Sequence, residues 1–211
     1  MARHTERMTE PRRLIVGITG ASGTLYGIRL LERLQKLGVE SHLVLSRWGA
    51  RTLLHETPYT VEQVQALATR SYASTDQGAP ISSGSFVTMG MIVLPCSVKT
   101  LAAIAHGYGD TLIPRAADVI LKERRRLVLG VREAPLHDIH LENMLRLSRM
   151  GAIIAPPMPA FYNRPESIDD LVEHTVTRML DLVDLHTDDT ARWDGEMGEG
   201  TPSERRTGRP Q

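Results

Sequence analysis

The sequence predicts an α/β fold in which a parallel sheet is covered by helices on both faces, giving three layers. Short apolar runs, such as residues 14–18 and 127–131, alternate along the chain with amphipathic helical patterns, such as residues 24–37. This alternation is typical of parallel strands that are joined by crossover helices. The length of 211 residues and the apolar content of 41% suit one such domain.

Each element is predicted from its local pattern. Strands are predicted at residues 14–18, 41–45, 91–94, 127–131 and 152–155, where apolar and β-branched residues run together. Helices are predicted at residues 24–37, 47–56, 61–68, 100–106, 115–125 and 141–149, and a Gly/Ser-containing loop at residues 71–85. The last helix is the clearest, because Ser167 can cap it and Asp170 follows three residues later. Its apolar stripe starts at Ile168, and Arg178 lies at the border of this stripe, from where its side chain can reach inward.

Composition narrows the classes of function. Lys and Arg together number 25, as do Asp and Glu, so a net charge of zero gives no indication of nucleic acid or membrane binding. The single cysteine, Cys96, excludes an internal disulfide, and no run is long enough to span a bilayer. We therefore expect a cytoplasmic protein. We also expect a disordered leader at residues 1–12, one domain at residues 13–194 and a disordered polar tail at residues 195–211.

The chain is organised around residues 15–27, where a β-branched run ends in a Gly/Ser-rich turn and a helical pattern follows. Strand, glycine turn and helix together form a site for phosphate, because the helix N-terminus offers N–H groups and a positive dipole end. Gly20 and Gly23 can adopt turn dihedrals that larger residues resist, and Ser22 adds a hydroxyl. The alternative is a glycine turn that only lets the helix pack close to the sheet.

Further polar residues follow the other predicted strands. Ligands of parallel sheets bind at the carboxyl ends of the strands. These ends carry residues 20–22, Ser46, residues 96–100, Arg132 with Glu133, and residues 156–162. The segment 95–100 offers a second loop for an anion, although a hydroxyl before a helix can also be a simple N-cap. Glu133, a carboxylate among cations, is a candidate acid or base, with a structural ion pair as its alternative.

The helix predicted at residues 115–125 carries a cluster of charged residues. Arg115 and Lys122 are seven residues apart and share a helix face, with Asp118 between them. We expect Asp118 to pair with Lys122, and we expect most of the neighbouring charges to be solvated.

Metal and thiol chemistry have weaker support. His137 and His140 lie close to Glu142 along the chain, but no further ligand is obvious, so no metal site is predicted. Cys96 follows a buried strand and is expected to pack rather than to act as a nucleophile.

Seven motifs occur together along the chain. They are Thr-Gly-Ala-Ser-Gly from residue 19, Ser-Gly-Ser-Phe from 83, Pro-Cys-Ser-Val-Lys-Thr from 95, Arg-Ala-Ala-Asp-Val from 115, Leu-Lys-Glu-Arg-Arg from 121, Val-Arg-Glu-Ala-Pro-Leu from 131 and Pro-Ala-Phe-Tyr from 159. In this order they resemble the UbiX-type flavin prenyltransferases over residues 14–193. The resemblance implies a Rossmann-like (flavodoxin-like) flavoprotein that assembles as a homododecamer of trimers.

The same resemblance implies an activity. Such enzymes join a dimethylallyl group, usually from dimethylallyl monophosphate, to N5 and then C6 of reduced FMN, and no metal is needed. The product, prenylated FMN, is the cofactor of UbiD-type decarboxylases, either in ubiquinone synthesis or in the breakdown of aromatic acids.

The resemblance also implies roles for individual positions. Those that would hold FMN are Gly20, Ala21, Ser22, Ser46, Ser97, Val98, Lys99, Thr100 and Arg132. Those that would hold dimethylallyl phosphate or close the site are Tyr162, Arg178, Lys122 and Trp193. The catalytic candidates are Glu133, which would manage protons, with Lys122, Ser22, Glu56 and Arg115. One departure is Trp48, which stands in place of a smaller residue and is expected to alter packing near the flavin.

Three alternative functions share some of these sequence features. A flavin-dependent cysteine decarboxylase of related fold would carry an Asn in the loop that corresponds to residues 95–100, and this loop has none. A short-chain NAD(P) reductase would need a Tyr followed four residues later by Lys, which none of the five tyrosines has. The third alternative is a non-catalytic subunit that delivers FMN to an aromatic acid decarboxylase, and it would bind FMN without prenyl transfer.

Overall fold

The structure, a computed structural model, describes residues 12–187, which form six parallel strands and seven α-helices. The strands are β1 (Arg13–Ile18), β2 (Glu40–Leu45), β3 (Arg70–Tyr72), β4 (Gly90–Cys96), β5 (Arg126–Val131) and β6 (Ile153–Ile154). The helices are α1 (Thr24–Lys36), α2 (Arg47–Glu56), α3 (Val61–Leu67), α4 (Val98–Ala105), α5 (Leu112–Lys122), α6 (Asp138–Arg149) and α7 (Ile168–Asp181). A short 3-10 helix lies at Pro80–Ser82.

The order of the strands creates a crevice in the middle of the sheet. The order is β3-β2-β1-β4-β5-β6, so the chain runs outward from β1 to β3 and then crosses back to β4. Leu14 of β1 lies opposite Ser41 of β2 on one side and Gly90 of β4 on the other. Because crossover connections leave in opposite directions from β1 and β4, the carboxyl ends of these strands border an open crevice.

Two apolar clusters fill the space on either face of the sheet. Leu14, Val16 and Ile18 of β1 pack with residues of α1 and α7, whereas Ile15 packs on the opposite face with residues of α4 and α5. Side chains alternate between the faces of a strand, and both faces are covered here, so β1 is buried almost throughout. This arrangement confirms the predicted three-layer α/β fold.

Helix α5 differs from its prediction at both ends. It begins at Leu112 rather than Arg115, because Pro114 lies in the first turn, where a residue without an N–H group loses no helical hydrogen bond. It ends at Lys122 rather than Arg125, and Arg124 adopts a left-handed conformation with a φ of 56°. The predicted range was therefore shifted by three residues.

Other boundaries extend beyond the predictions. Strand β4 continues through Pro95 to Cys96, with a register shift against β5 between Val93 and Cys96. Helices α4 and α6 begin two and three residues earlier than predicted. Strand β3 lies at the start of the predicted loop 71–85, and its three residues are too few to give a strand pattern.

Helix α7 confirms its predicted cap but not its whole stripe. The Ser167 hydroxyl accepts a hydrogen bond from the Asp170 N–H at 3.1 Å, and the Asp170 carboxylate accepts one from the Ser167 N–H at 3.0 Å. Val172 and Val176 are buried against α1, but Ile168 is 74% exposed. Ile168 is the first helical residue, and a helical side chain points back toward the N-terminus, so it projects past the packed surface.

Some predictions fall outside the described residues. These are the leader at residues 1–12 except Arg12, the tail at residues 195–211, and Trp193. Within residues 12–187, no helix is long and apolar enough to cross a membrane.

Candidate functional site

A cavity of about 720 Å³ lies at the carboxyl edge of the sheet. Five of the residues predicted to bind a flavin line it, namely Gly20, Ser46, Ser97, Lys99 and Thr100. They come from the loops after β1, β2 and β4, which are far apart in sequence and meet because these strands are neighbours in the sheet. Ala21, Ser22 and Val98 belong to the same loops but are not among the lining residues of the described chain.

Thr19 joins the ends of β1 and β4, a role that was not predicted from the sequence. Its hydroxyl donates a hydrogen bond to the Pro95 carbonyl at 2.8 Å and accepts one from the Ser97 N–H at 2.8 Å. Thr19 is almost completely buried. The cavity loops after β1 and β4 therefore have a fixed separation, and a polar residue directly after a buried strand was the signal that could have identified this contact.

Two cavity hydroxyls also cap helices. The Ser46 hydroxyl accepts a hydrogen bond from the Gly49 N–H at 2.9 Å, and the Ser97 hydroxyl accepts one from the Thr100 N–H at 3.3 Å. The N-cap alternative considered for segment 95–100 is therefore correct for Ser97. Because both caps also line the cavity, the N-termini of α2 and α4 point toward it, and both suit an anionic group.

The N-terminus of α1 already holds a carboxylate from within the chain. Oε2 of Glu56 accepts hydrogen bonds from the N–H groups of Gly23 at 2.9 Å and Thr24 at 3.1 Å. Burial by itself would raise the pKa of Glu56, but the hydrogen bonds from Ser22, Gly23 and Thr24 together outweigh it and lower the pKa. The Ser22 hydroxyl and these two N–H groups, which we expected to face a phosphate, therefore bind Glu56.

Aromatic residues stand at the cavity wall. Trp48 and Tyr108 both line it, although each is more than 60% exposed. The guanidinium of Arg51 lies 5.1 Å from the Trp48 ring, which holds this side chain in place by a cation–π contact. A Cβ atom on Gly20 would come within 2.5 Å of the Trp48 Cβ, so glycine at position 20 allows the two loops to approach. The sequence marked Trp48 as a departure but did not indicate Tyr108.

Arg132 and Glu133 follow β5 at the same edge of the sheet. The Arg132 N–H donates to the Cys96 carbonyl at 3.0 Å, which ties this loop to the end of β4. Both side chains are exposed, and the Glu133 carboxylate accepts a hydrogen bond from the Ala134 N–H at 3.0 Å. Glu133 takes part in none of the ion pairs among the described residues. The alternative that Glu133 forms a structural ion pair therefore gains no support.

The cations of helix α5 pair with carboxylates, and Lys122 lies far from the cavity. Asp118 pairs with Arg115 at 2.8 Å, and Lys122 pairs with the adjacent Glu123, so the expected pairing of Asp118 with Lys122 was wrong. On a helix the shorter spacing of three residues brings Arg115 to Asp118. The helix begins beside the cavity and Lys122 is its last residue, about 15 Å further along the axis. Lys122 therefore lies at the amino edge of the sheet.

Tyr162 and Arg178 belong to the α7 side of the molecule. The Tyr162 hydroxyl lies 2.7 Å from Nε2 of His174, and Arg178 pairs with Asp181 at 2.6 Å. Arg178 is exposed, and its guanidinium is held by the nearly buried carboxylate of Asp181, three residues further along the helix, rather than reaching toward the cavity. The carbonyl of Leu182, which follows α7, accepts a hydrogen bond from Arg126 at the start of β5. Arg178, in the last turn of α7, thus also lies toward the amino edge.

The paired histidines and Cys96 are not arranged for metal binding or thiol chemistry. Within residues 12–187, no group of three or more His, Cys, Asp or Glu side chains is arranged to hold a metal ion. The rings of His137 and His140 stack with their centroids 3.5 Å apart. Burial raises the pKa of the Cys96 thiol to about 12, which fits a packing residue.

Comparison with known proteins identifies the family. The model of the Flavoprotein family matches residues 2–180. A probable UbiX-like flavin prenyltransferase from Bacillus subtilis (strain 168) is 56% identical over 183 residues, which is 87% of this chain and 90% of that protein. The chain belongs to the UbiX-type flavin prenyltransferases.

Solved structures of this prenyltransferase family share the fold. The crystal structure of AnUbiX (PadA1) in complex with FMN and dimethylallyl pyrophosphate has a TM-score of 0.87 and 55% identity, covering 88% of this chain and 99% of that one. A dodecameric FMN-dependent UbiX-like decarboxylase from Escherichia coli O157:H7 has a TM-score of 0.85 and 57% identity, covering 87% and 100%. Both solved structures therefore share the three-layer architecture described above.

Proposed function

We propose that this chain transfers a dimethylallyl group from dimethylallyl monophosphate to N5 and C6 of reduced FMN, and that a UbiD-type decarboxylase uses the prenylated FMN. The observation that carries this proposal is the cavity of about 720 Å³ whose lining includes five residues assigned to the flavin. Membership of the prenyltransferase family supports the reaction type. We also propose a cytoplasmic location, where reducing conditions suit the free thiol of Cys96.

The lining residues fit FMN chemically. Ser46, Ser97 and Thr100 offer hydroxyls, and Lys99 offers a cation for the phosphate. Ala102, Ala103 and Ile113 give an apolar wall for a planar ring. A relative at 55% identity was crystallised with FMN and dimethylallyl pyrophosphate, which supports FMN and a dimethylallyl donor with a phosphate leaving group here.

Prenyl transfer breaks the C–O bond of the donor, and the phosphate leaves with the electron pair. N5 of reduced FMN bonds to the carbon that the phosphate leaves, and the proton lost from N5 passes to the phosphate. The C=C bond of the prenyl group then takes up one proton, and the carbon left electron-deficient bonds to C6, which loses its hydrogen as a proton. Cationic and hydroxyl donors stabilise the charge that develops on the phosphate, and we assign this role to Lys122, Arg178 and Tyr162. We assign proton transfer near the flavin to Glu133, an exposed carboxylate at the carboxyl edge.

We infer that several copies of the chain assemble each site, in a homododecamer. Lys122 and Arg178 lie toward the amino edge of the sheet, whereas the cavity lies at the carboxyl edge. A helix length separates these groups within one chain, so another copy has to supply the cations. The dodecameric assembly of a relative with 57% identity supports this arrangement.

An anaerobic assay tests the reaction. Purified protein is mixed with reduced FMN and dimethylallyl monophosphate without metal, and the released flavin is measured by mass spectrometry. We expect a gain of one prenyl unit, with dimethylallyl diphosphate as a parallel donor. Bound but unmodified FMN with both donors would contradict the proposal and would indicate the FMN-delivery subunit.

Mixed oligomers test the shared site. Glu133→Gln and Arg178→Ala are each expected to inactivate the enzyme, and co-expression of the two chains is expected to restore intact sites. With random mixing and one contribution from each of two copies, about a quarter of the sites are intact. A mixed oligomer as inactive as either parent would show that both residues act within one copy.

A further inference from the structure

Tyr162 has a defined partner in the interior of the protein. Its hydroxyl oxygen lies 2.7 Å from Nε2 of His174, and the two rings meet edge to face with centroids 5.4 Å apart. Tyr162 itself is half exposed, whereas His174 is only 8% exposed. The phenol therefore has one side in contact with α7 and one side facing outward, and the histidine holds it in that orientation.

His174 is neutral near physiological pH. Burial lowers its pKa below the ordinary value of 6.5, and the charge of Arg178 lowers it further. A neutral imidazole carries one proton, so Nε2 either donates or accepts in its contact with Tyr162. The tautomer of this ring consequently decides the direction of the Tyr162 hydrogen.

The two tautomers have different consequences for an anion. A phenol has one hydrogen to donate, and this hydrogen points to the histidine when Nε2 accepts the hydrogen bond. When Nε2 carries the proton, His174 donates to the Tyr162 oxygen and the phenol hydrogen turns toward the outer side. Near physiological pH a phosphate monoester is mostly a dianion, whose oxygens only accept hydrogen bonds. The phosphate therefore selects the tautomer in which His174 donates to Tyr162.

We propose that His174 is a positioning residue for the prenyl phosphate, because its Nε2–H holds the Tyr162 oxygen and aims the phenol hydrogen at the phosphate. This inference rests on the proposed function. Neither the sequence motifs nor the lining of the cavity indicated His174.

The position of His174 on α7 supports this role. Arg178 follows it by four residues, so the two side chains lie one above the other on the same side of the helix. Asp181, whose side chain is 6% exposed, holds the Arg178 guanidinium at 2.6 Å. One helix surface therefore fixes both proposed phosphate ligands, Tyr162 through His174 and Arg178 through Asp181.

Two amide substitutions separate positioning from packing. The side-chain nitrogen of Gln occupies the place of the imidazole Nε2, whereas that of Asn occupies the place of Nδ1. We therefore compare His174→Gln with His174→Asn, and add His174→Phe, which keeps a ring without a donor. The readout is the Kd of dimethylallyl monophosphate for protein loaded with oxidised FMN, where no turnover occurs, together with KM and kcat under reducing conditions.

Loss of a hydrogen bond to a charged group weakens binding by about tenfold or more. We expect His174→Asn and His174→Phe to raise the Kd and KM for the donor by about tenfold, with His174→Gln within about threefold of wild type. The affinity for FMN should remain that of wild type in all three variants. Equal losses in the Gln and Asn variants, or no loss in either, would overturn the proposal.

A double-mutant cycle gives a second, independent test. In a Tyr162→Phe background there is no hydroxyl to position, so His174→Asn is expected to add no further loss in donor affinity. Fully additive losses would overturn the role of His174. Wild-type protein that binds the donor but transfers nothing would contradict the proposed function and leave the positioning result intact, whereas wild-type protein that binds no donor would contradict both.

Discussion

Glu56 and Gly23 are 33 residues apart in sequence, yet Oε2 of Glu56 accepts the Gly23 N–H at 2.9 Å. The same oxygen also accepts hydrogen bonds from the N–H and hydroxyl of Thr24, both at 3.1 Å. A carboxylate at the end of α2 thus serves as the N-cap of α1, since Gly23 has no side chain that could do so. The carboxylate fixes the glycine turn on which the cavity is built.

Replacing Glu56 with Gln is expected to lower the free energy of unfolding mainly at pH values above the pKa of the carboxylate. Because the pKa in the folded state is lowered from 4.5, the contribution of Glu56 is present above that value and is lost as the pH falls through the folded-state pKa. At neutral pH we expect a loss of about 1 kcal/mol in the free energy of unfolding, typical of a lost cap.

Denaturant unfolding at neutral and acidic pH measures this effect. Glu142→Gln, which also removes an exposed carboxylate, is the matched control and should leave stability unchanged. If Glu56→Gln lowers the free energy of unfolding equally at neutral and acidic pH, the ionised carboxylate is not the source of the stabilisation.

Gly20→Ala is expected to lower the affinity for FMN by at least about tenfold, because the new Cβ would collide with Trp48 at 2.5 Å and push the α2 loop outward. Fluorescence quenching of FMN on titration with protein measures the affinity. Gly78→Ala is the control, since its Cβ would meet only Asp76 at 3.4 Å. Unchanged FMN affinity in Gly20→Ala would show that the flavin does not need the close approach of these two loops.

Glu133→Gln is expected to slow prenyl transfer by about a hundredfold while leaving FMN affinity within a few-fold of wild type, as for loss of a general acid or base. The Gln side chain keeps the size of Glu and can still accept from the Ala134 N–H, so the loop should be preserved. Single-turnover rates and FMN titrations are compared for the same preparation. Parallel losses in rate and FMN affinity would assign Glu133 to flavin binding instead.

Cys96 is expected to resist thiol reagents in the folded protein. It is completely buried and its thiol has a pKa of about 12, so the reactive thiolate is scarce. Labelling with a disulfide reagent should be slow in native protein and fast and stoichiometric in denaturant. Rapid labelling of native protein, with prenyl transfer lost in step, would instead mark Cys96 as accessible at the site.

Local sequence patterns were informative wherever an element has a regular pattern or a continuous apolar run. The strands around residues 14–18 and 127–131 were predicted closely because burial on both faces makes them short apolar runs, and helix α2 and the cap of α7 were predicted closely from helical spacing and capping residues. Strand β3 was missed, since three edge residues cannot show a period. Pro114 and Pro95 misled the boundaries of α5 and β4, because proline interrupts a pattern without necessarily ending the element.

The sequence by itself determined the fold class, the family and the loops that would form the site, because these depend on periodicity and on motifs within short segments. The tertiary structure alone decided which of those groups face the cavity. It directed the three donors of the first turn to Glu56, moved Lys122 and Arg178 toward the amino edge, and brought His174 to Tyr162. These outcomes follow from strand order and helix direction, which set the distance between residues that no local pattern connects.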